Sequence, residues 1–265
     1  MTAIFAHRGC CGVPAPRENT LAAFDAARRS GADGVELDVR ATADGALVVH
    51  HDRAVPGAGD VGRLPVAKLP REVPLLEDAL AACAGVQVDV EIKGGPDEAV
   101  LVARQLVARE LAARLLVSRQ LAEPGAEPGA LAGVLVSSFD PECLLAVREL
   151  APEAPTGLLV GWEGDARVAL DRAAALGCAT VHPHVTQVDA GLVEAARERA
   201  LGLCVWTVNA DADLSHMGAL GVEAVVTDRV DAALAILRGP RTGVGAVAKG
   251  RLAGSPARNG GEGPG

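Results

Sequence analysis

The chain has no tyrosine, and aromatic residues make up only 2% of its 265 positions. That scarcity argues against surfaces that recognise bases or sugars by stacking. No run of about 20 apolar residues occurs, so no membrane span or stable membrane insertion is expected. No pair of cysteines has C-x-x-C spacing, no G-x-G-x-x-G directly follows a predicted strand, and no G-x-x-x-x-G-K-[ST] loop is present. The first excludes the common zinc ribbons, and the other two exclude the usual dinucleotide and P-loop sites. Lysine and arginine form no block, and the net charge is −9, so nucleic acid is not an expected partner. Met1 to His7 already reads as strand, which leaves no room for an export signal and makes the cytoplasm the expected location. The six cysteines, Cys10, Cys11, Cys83, Cys143, Cys178 and Cys204, are then expected as thiols. No feature signals the number of subunits.

What the chain does have is apolar residues, 49% of the total, and a length that suits one large barrel domain. Residues 239–265 stand apart. They are rich in Gly, Pro and Ala and carry a net +3, against −12 for the preceding 238 residues. The expectation is a catalytic domain over 1–238 followed by a disordered Gly/Pro-rich tail over 239–265, because that composition buries too little apolar surface to offset ordering entropy.

Over the body, short β-like runs alternate with helical stretches. The predicted strands are Ile4–His7, Gly34–Val39, Val86–Ile92, Val134–Ser138, Gly157–Gly161, Thr180–Pro183, Leu203–Val208 and Ala224–Thr227. The clearest predicted helix covers Asp97–Leu116, with Leu101, Gln105, Ala108, Leu111 and Leu115 at helical spacing. Gly31, Gly177, Gly202 and Gly221 each lie just before a strand and read as left-handed helix caps. Eight βα units in about 240 residues fit an α/β fold of the (β/α)8 TIM-barrel type. An extra β-like run, Ala46–His50, follows the second strand too closely for a crossover helix, so a hairpin and a short insertion are expected there.

Chemistry in such a barrel sits at the carboxyl ends of the strands. Strand one ends in His7-Arg8-Gly9, strand two carries Glu36-Leu37-Asp38, and strand three carries Asp89-Val90-Glu91-Ile92-Lys93. Residues two apart share a face, so Glu36 and Asp38 point together, as do Glu91 and Lys93 with Asp89 below them. Asp44-Gly45 reads as a two-residue hairpin turn, which would place Asp38 opposite His51 and turn His50 and Asp52 away. Two readings fit three converging carboxylates. They hold a divalent cation, for which oxygen donors suit Mg²⁺ or Ca²⁺, or they pair with Arg8 and Lys93 as salt bridges. Two histidines beside them add acid–base capacity. His182 and His184 read as hydrogen-bonded barrel residues, and Asp228 as a partner of Arg229 or a closure of the barrel.

These segments carry a resemblance. His7-Arg8-Gly9, Glu18-Asn19-Thr20, Glu36-Leu37-Asp38-Val39, His51-Asp52 and Glu91-Ile92-Lys93 are similar, in order and spacing, to the glycerophosphodiester phosphodiesterase family. Ser137-Ser138-Phe139, Trp206-Thr207-Val208-Asn209 and Thr227-Asp228 resemble its later segments. The resemblance implies a (β/α)8 barrel that hydrolyses glycerophosphodiesters, small molecules, to glycerol 3-phosphate and an alcohol with one divalent cation. It implies Glu36, Asp38 and Glu91 as metal ligands and His7 and His51 as general acid and base. It implies Arg8 and Lys93 on the phosphoryl oxygens, Glu18 and Asn19 as supports of the first loop, and Trp206 lining the mouth. Arg17 stands where the family usually has Pro, Asp89 adds a carboxylate, and the segment between His51 and Pro74 is short. Two other classes share the pattern: a metal-dependent phospholipase acting on intact lipids, and a non-catalytic phosphodiester-binding barrel. Few aromatics and no basic amphipathic helix weigh against the first.

Overall fold

Alternation along the strands decides which side chains line the interior and which meet the helices. Val35, Leu37 and Val39 on one strand, and Val90 and Ile92 on its neighbour, lie in the apolar core outside the barrel, while Glu36, Asp38, Asp89 and Glu91 take the intervening positions. The computed structural model of the chain describes residues 1–10, 17–119 and 133–239. Its strands are β1 (Ala3–His7), β2 (Gly34–Ala41), β3 (Leu47–Val49), β4 (Ala54–Val55), β5 (Gly59–Asp60) and β6 (Gln87–Ile92), followed by β7 (Val134–Ser138), β8 (Thr156–Val160), β9 (Thr180–Pro183), β10 (Gly202–Val205) and β11 (Ala224–Thr227). Eight of them pair in parallel in the order β1, β2, β6, β7, β8, β9, β10, β11, and β11 pairs back onto β1, which closes the barrel. Helices α1 (Leu21–Ser30), α2 (Leu76–Ala82), α3 (Pro96–Arg119), α4 (Pro141–Leu150), α5 (Ala166–Leu176), α6 (Ala190–Glu198), α7 (Asp211–Leu220) and α8 (Val230–Arg238) cover it. The barrel expected from the sequence is therefore present. The tail over 239–265 lies outside the described residues, apart from Gly239.

Helix ends explain much of the phasing. Thr20, Asp140, Asp165 and Asp189 cap α1, α4, α5 and α6 by accepting hydrogen bonds from first-turn amides. Gly31, Gly177 and Gly221 are left-handed C-caps, as expected. Gly202 is not one, because it opens β10. Ala200 takes the left-handed turn instead, with φ 54°, at a cost of about 1–2 kcal/mol. In α3 the buried stripe is Ala99, Val102, Ala103 and Leu106, whereas Leu111 is exposed. The predicted stripe was thus rotated away from the true one. Half of the buried stripe is alanine, which hydrophobicity alone ranks below leucine, and Leu115 lies among side chains outside the described set.

The hairpin register also differs from expectation. β2 and β3 pair Val39 with Val49, Arg40 with Val48 and Ala41 with Leu47. Thr42 N donates to Ala46 O, and Gly45, at φ 79°, donates to Thr42 O. The turn is therefore a three-residue loop with a left-handed glycine, one residue longer than an Asp-Gly type I′ turn. Asp38 stands opposite His50, whose N–H donates to Asp38 O. The short insertion follows, with β4, β5 and two 3₁₀ turns packed on Val48, Val55 and Val61.

The lower interior is filled by rings set into glycines. A Cβ added at Gly34 would lie 2.4 Å from Phe5, and one at Gly157 would lie 2.4 Å from His182 Nε2. Gly34→Ala is expected to lower stability by about 1–3 kcal/mol, since the added methyl group collides with the Phe5 ring and forces it to move. Chemical denaturation checks this, and an unchanged midpoint would show that the ring is free to shift.

Candidate active site

The ends of β1, β2 and β6 converge at the carboxyl face of the barrel. A cavity of about 180 Å³ opens there, lined by His7, Arg8, Glu36, His51, Glu91 and Lys93 on one side and by Phe139, Leu159 and Trp206 on the other. All three expected metal ligands sit together: Glu36, Asp38 and Glu91 each offer a carboxylate oxygen, all within 4.8 Å of one another. Glu36 and Asp38 are buried, and Glu91 nearly so.

Two cations stand against these three acids. Lys93 Nζ lies 2.6 Å from Glu91 Oε1 and 3.3 Å from Asp38 Oδ1, and Arg8 Nε lies 3.2 Å from Asp38 Oδ2. The salt-bridge reading is therefore realised for Lys93 with Glu91, and Arg8 pairs with Asp38. Glu36 is left over. Its Oε2 accepts from Arg8 N at 3.0 Å, while its buried Oε1 has no hydrogen-bond partner. Burial, with Asp38, Glu91 and Asp89 nearby, pushes the Glu36 carboxyl well above its ordinary range. An uncompensated oxygen in an all-carboxylate set is the donor chemistry of a hard divalent cation, so the residues present fit one.

The loop after β1 is held in an unusual conformation. Arg8 and Asn19 both have positive φ, 54° and 55°, and Asn19 N donates to Arg8 O. Non-glycine residues in this region cost energy and cluster where geometry is imposed by function. Here the strain aims Arg8 N at Glu36 and lets Asn19 Nδ2 donate to Asp38 Oδ2 at 2.7 Å. Glu18 is more exposed and accepts from Arg8 Nη1 at 2.9 Å. Trp206 donates through Nε1 to His182 O and meets Phe139 and His184 edge-on, which fixes the ring at the mouth.

Two of the three histidines that line the cavity, His7 and His51, are each held by an aspartate through Nδ1. His7 Nδ1–H donates to Asp228 Oδ1 at 2.7 Å, and His51 Nδ1–H donates to Asp52 Oδ1 at 2.8 Å. Nε2 is the ring nitrogen these contacts do not use. The His51 carbonyl is clamped by Arg40 Nε and Nη2 at 2.9 and 2.7 Å. The ladder ends at Val49, so this clamp, and not cross-strand pairing, positions His51. Asp52, expected to turn away, is its partner. Of the two readings of Asp228, closure of the barrel holds, since its side chain joins the end of β11 to His7 of β1. It binds His7 and accepts from Asn209 Nδ2 at 2.7 Å, while Arg229 goes to Asp211. The hydrogen bond from His7, opposed by burial, holds the Asp228 carboxyl below its usual range.

A closed (β/α)8 barrel whose mouth joins a carboxylate cluster to two aspartate-backed histidines has the layout of an enzyme's active site. Residues 7–232 match the model of the glycerophosphoryl diester phosphodiesterase family. A glycerophosphodiester phosphodiesterase of Caldanaerobacter subterraneus is 29% identical over 253 residues, covering 89% of this chain and 98% of the relative. One from Bacillus altitudinis is 30% identical over 263 residues, again covering 89% and 98%. A phosphodiesterase structure from Oleispira antarctica, solved in complex with the product sn-glycerol-3-phosphate, superposes with a TM-score of 0.71 at 23% identity over 90% of this chain and 97% of that one. The chain belongs to the glycerophosphoryl diester phosphodiesterase family, a family of phosphoric diester hydrolases.

Proposed function

We propose that the chain hydrolyses glycerophosphodiesters to glycerol 3-phosphate and an alcohol. In this reading Glu36, Asp38 and Glu91 hold one divalent cation, Mg²⁺ or Ca²⁺, and His7 and His51 exchange protons with the substrate. The observation that carries it is the pairing of the two histidines, each backed by a carboxylate through Nδ1, around the cavity that contains the three-carboxylate cluster.

When bound, the cation would polarise a phosphoryl oxygen and lower the pKa of a hydroxyl beside it. The chain's own residues supply the rest. One imidazole Nε2 takes the proton of the attacking hydroxyl, and the other gives a proton to the departing alkoxide. Arg8 and Lys93 offset negative charge on the phosphoryl oxygens as it grows. Asn19 keeps Asp38 in place through its 2.7 Å hydrogen bond, and Glu18 steadies the Arg8 guanidinium. The apolar wall of Phe139, Leu159 and Trp206 lies on the other side of the cavity and suits the less polar end of a substrate.

The test is release of glycerol 3-phosphate from glycerophosphocholine with Mg²⁺, with Ca²⁺ and with chelator. Release that requires the cation supports the reading, and folded protein that releases none with either ion contradicts it. Intact phospholipid in vesicles serves as the second substrate, and faster cleavage of it would favour the phospholipase class. A substrate lacking the glycerol 2-hydroxyl then tells attack by water from attack by that hydroxyl.

Asp228→Asn is expected to lower kcat about 10–100-fold with KM nearly unchanged, since it weakens a positioning group and not a substrate contact. An unchanged kcat with a lowered Tm would show that Asp228 only stabilises the fold.

A further inference from the structure

One polar cluster in the barrel has been given no role in this chemistry, although Asp89 and His182 border the same cavity. Asp89 on β6, His182 on β9 and Cys204 on β10 lie one layer below the mouth, with one ligand atom from each within 4.8 Å of the others. All three are buried, and His182 Nδ1 is 3.3 Å from Asp89 Oδ2. Asp89 is 2% exposed, yet its Oδ1 has no hydrogen-bond partner. A buried carboxylate with an orphaned oxygen is costly unless something positive occupies the space before it.

We propose that Asp89, His182 and Cys204 form a second metal site, for a borderline-soft ion of the Zn²⁺ class, distinct from the carboxylate cluster above it. Four features support it. The donor set of one carboxylate, one imidazole and one thiol matches Zn²⁺ and is foreign to Mg²⁺ and Ca²⁺. Zinc bonds of about 2.0–2.3 Å place tetrahedral ligand atoms roughly 3.3–3.8 Å apart, and the His182–Asp89 separation already lies in that range. Thr180 Oγ1 sits 2.8 Å from His182 Nε2, where it accepts that N–H and leaves Nδ1 for an ion. An orienting partner on the far nitrogen is the usual companion of a ligating histidine. Gly157 lacks the Cβ that would collide with His182 Nε2, so the backbone leaves room for the ring.

The site also has its own route in. A cavity of about 330 Å³ at the amino-terminal end of the barrel is lined by Phe5, Asp89, His182 and Cys204. An ion and a water as fourth ligand can reach the cluster from that end, although Asp89 and His182 also border the active-site cavity. Aspartate and thiolate together neutralise a divalent charge. The bound ion ties β6, β9 and β10 together under the catalytic layer, so its expected role is structural.

The test uses the full chain, stripped with chelator and given Co²⁺ in excess Mg²⁺, so that Mg²⁺ holds the oxygen site. A thiolate-to-cobalt charge-transfer absorption is expected, together with one equivalent of Zn²⁺ in competition. Cys204→Ala removes the band and raises the Zn²⁺ dissociation constant about 100-fold or more. Glu36→Gln keeps the band, and this readout is independent of turnover. Folded wild-type protein without the band overturns the assignment whatever the variants do. A band that survives Cys204→Ala overturns it as well, because another thiol then holds the ion.

Discussion

His7→Ala lowers kcat on glycerophosphocholine by about 10²–10⁴-fold, the usual contribution of a positioned acid or base, and leaves divalent-cation binding intact. His7 meets Asp228 through Nδ1 and makes no contact with the carboxylate cluster among the hydrogen bonds and ion pairs of the described residues, so ion affinity has no reason to change. His51→Ala is expected to lose activity on the same scale, because His51 stands in the same relation to Asp52. The two variants separate when the leaving group changes. A nitrophenyl ester departs without protonation, so the variant missing the acid recovers most of its rate while the variant missing the base does not. That experiment assigns the two roles, which the ground-state geometry leaves symmetrical. Activity of both variants within tenfold of wild type would remove the histidines from the mechanism.

Glu36→Gln is expected to have two opposite effects. Activity with saturating Mg²⁺ or Ca²⁺ falls to background, since the buried carboxylate oxygen without a partner is lost from the donor set. In chelator, the same variant is more stable than wild type by about 1–2 kcal/mol, the scale on which functional sites trade stability for activity. The sign follows from burial. The folded-state pKa of Glu36 is raised, so the folded chain holds its proton more tightly than the unfolded chain. Stability contributed by that proton is lost as pH rises from the unfolded-state to the folded-state pKa, and at any pH above the unfolded-state pKa the buried carboxyl opposes folding. The uncharged amide removes the opposition. Added cation then stabilises wild type by about 2.7 kcal/mol at a hundred times its dissociation constant, read as a higher Tm, and does not stabilise the variant. A variant less stable than wild type in chelator would mean that Glu36 is already compensated.

How much of this was legible in the sequence depends on how local each feature is. Glu36, Asp38, Asp89 and Glu91 fell on one face by strand alternation alone, and the structure keeps them there. His51 does line the cavity, although the hairpin register that points to it does not hold. The hairpin is one residue longer than an Asp-Gly turn suggests, which places His50 opposite Asp38, and the clamp from Arg40 then brings His51 to the cavity. The stripe of α3 was misphased because Ala and Val bury there as well as Leu does. Asp228 could not be assigned from spacing, since its contact with His7 spans 221 residues and exists only because β11 closes onto β1. The pairing of Asp89 with His182 is invisible for the same reason: they sit on strands at opposite sides of the barrel.

The central claim is that turnover depends on a divalent cation held by Glu36, Asp38 and Glu91. The most direct measurement is glycerol 3-phosphate release recorded while Mg²⁺ or Ca²⁺ is titrated into chelator-treated protein, with bound ion counted in the same samples. The account predicts that rate and occupancy rise together and saturate with that one site, and that Glu36→Gln abolishes both. Full turnover in chelator would contradict it.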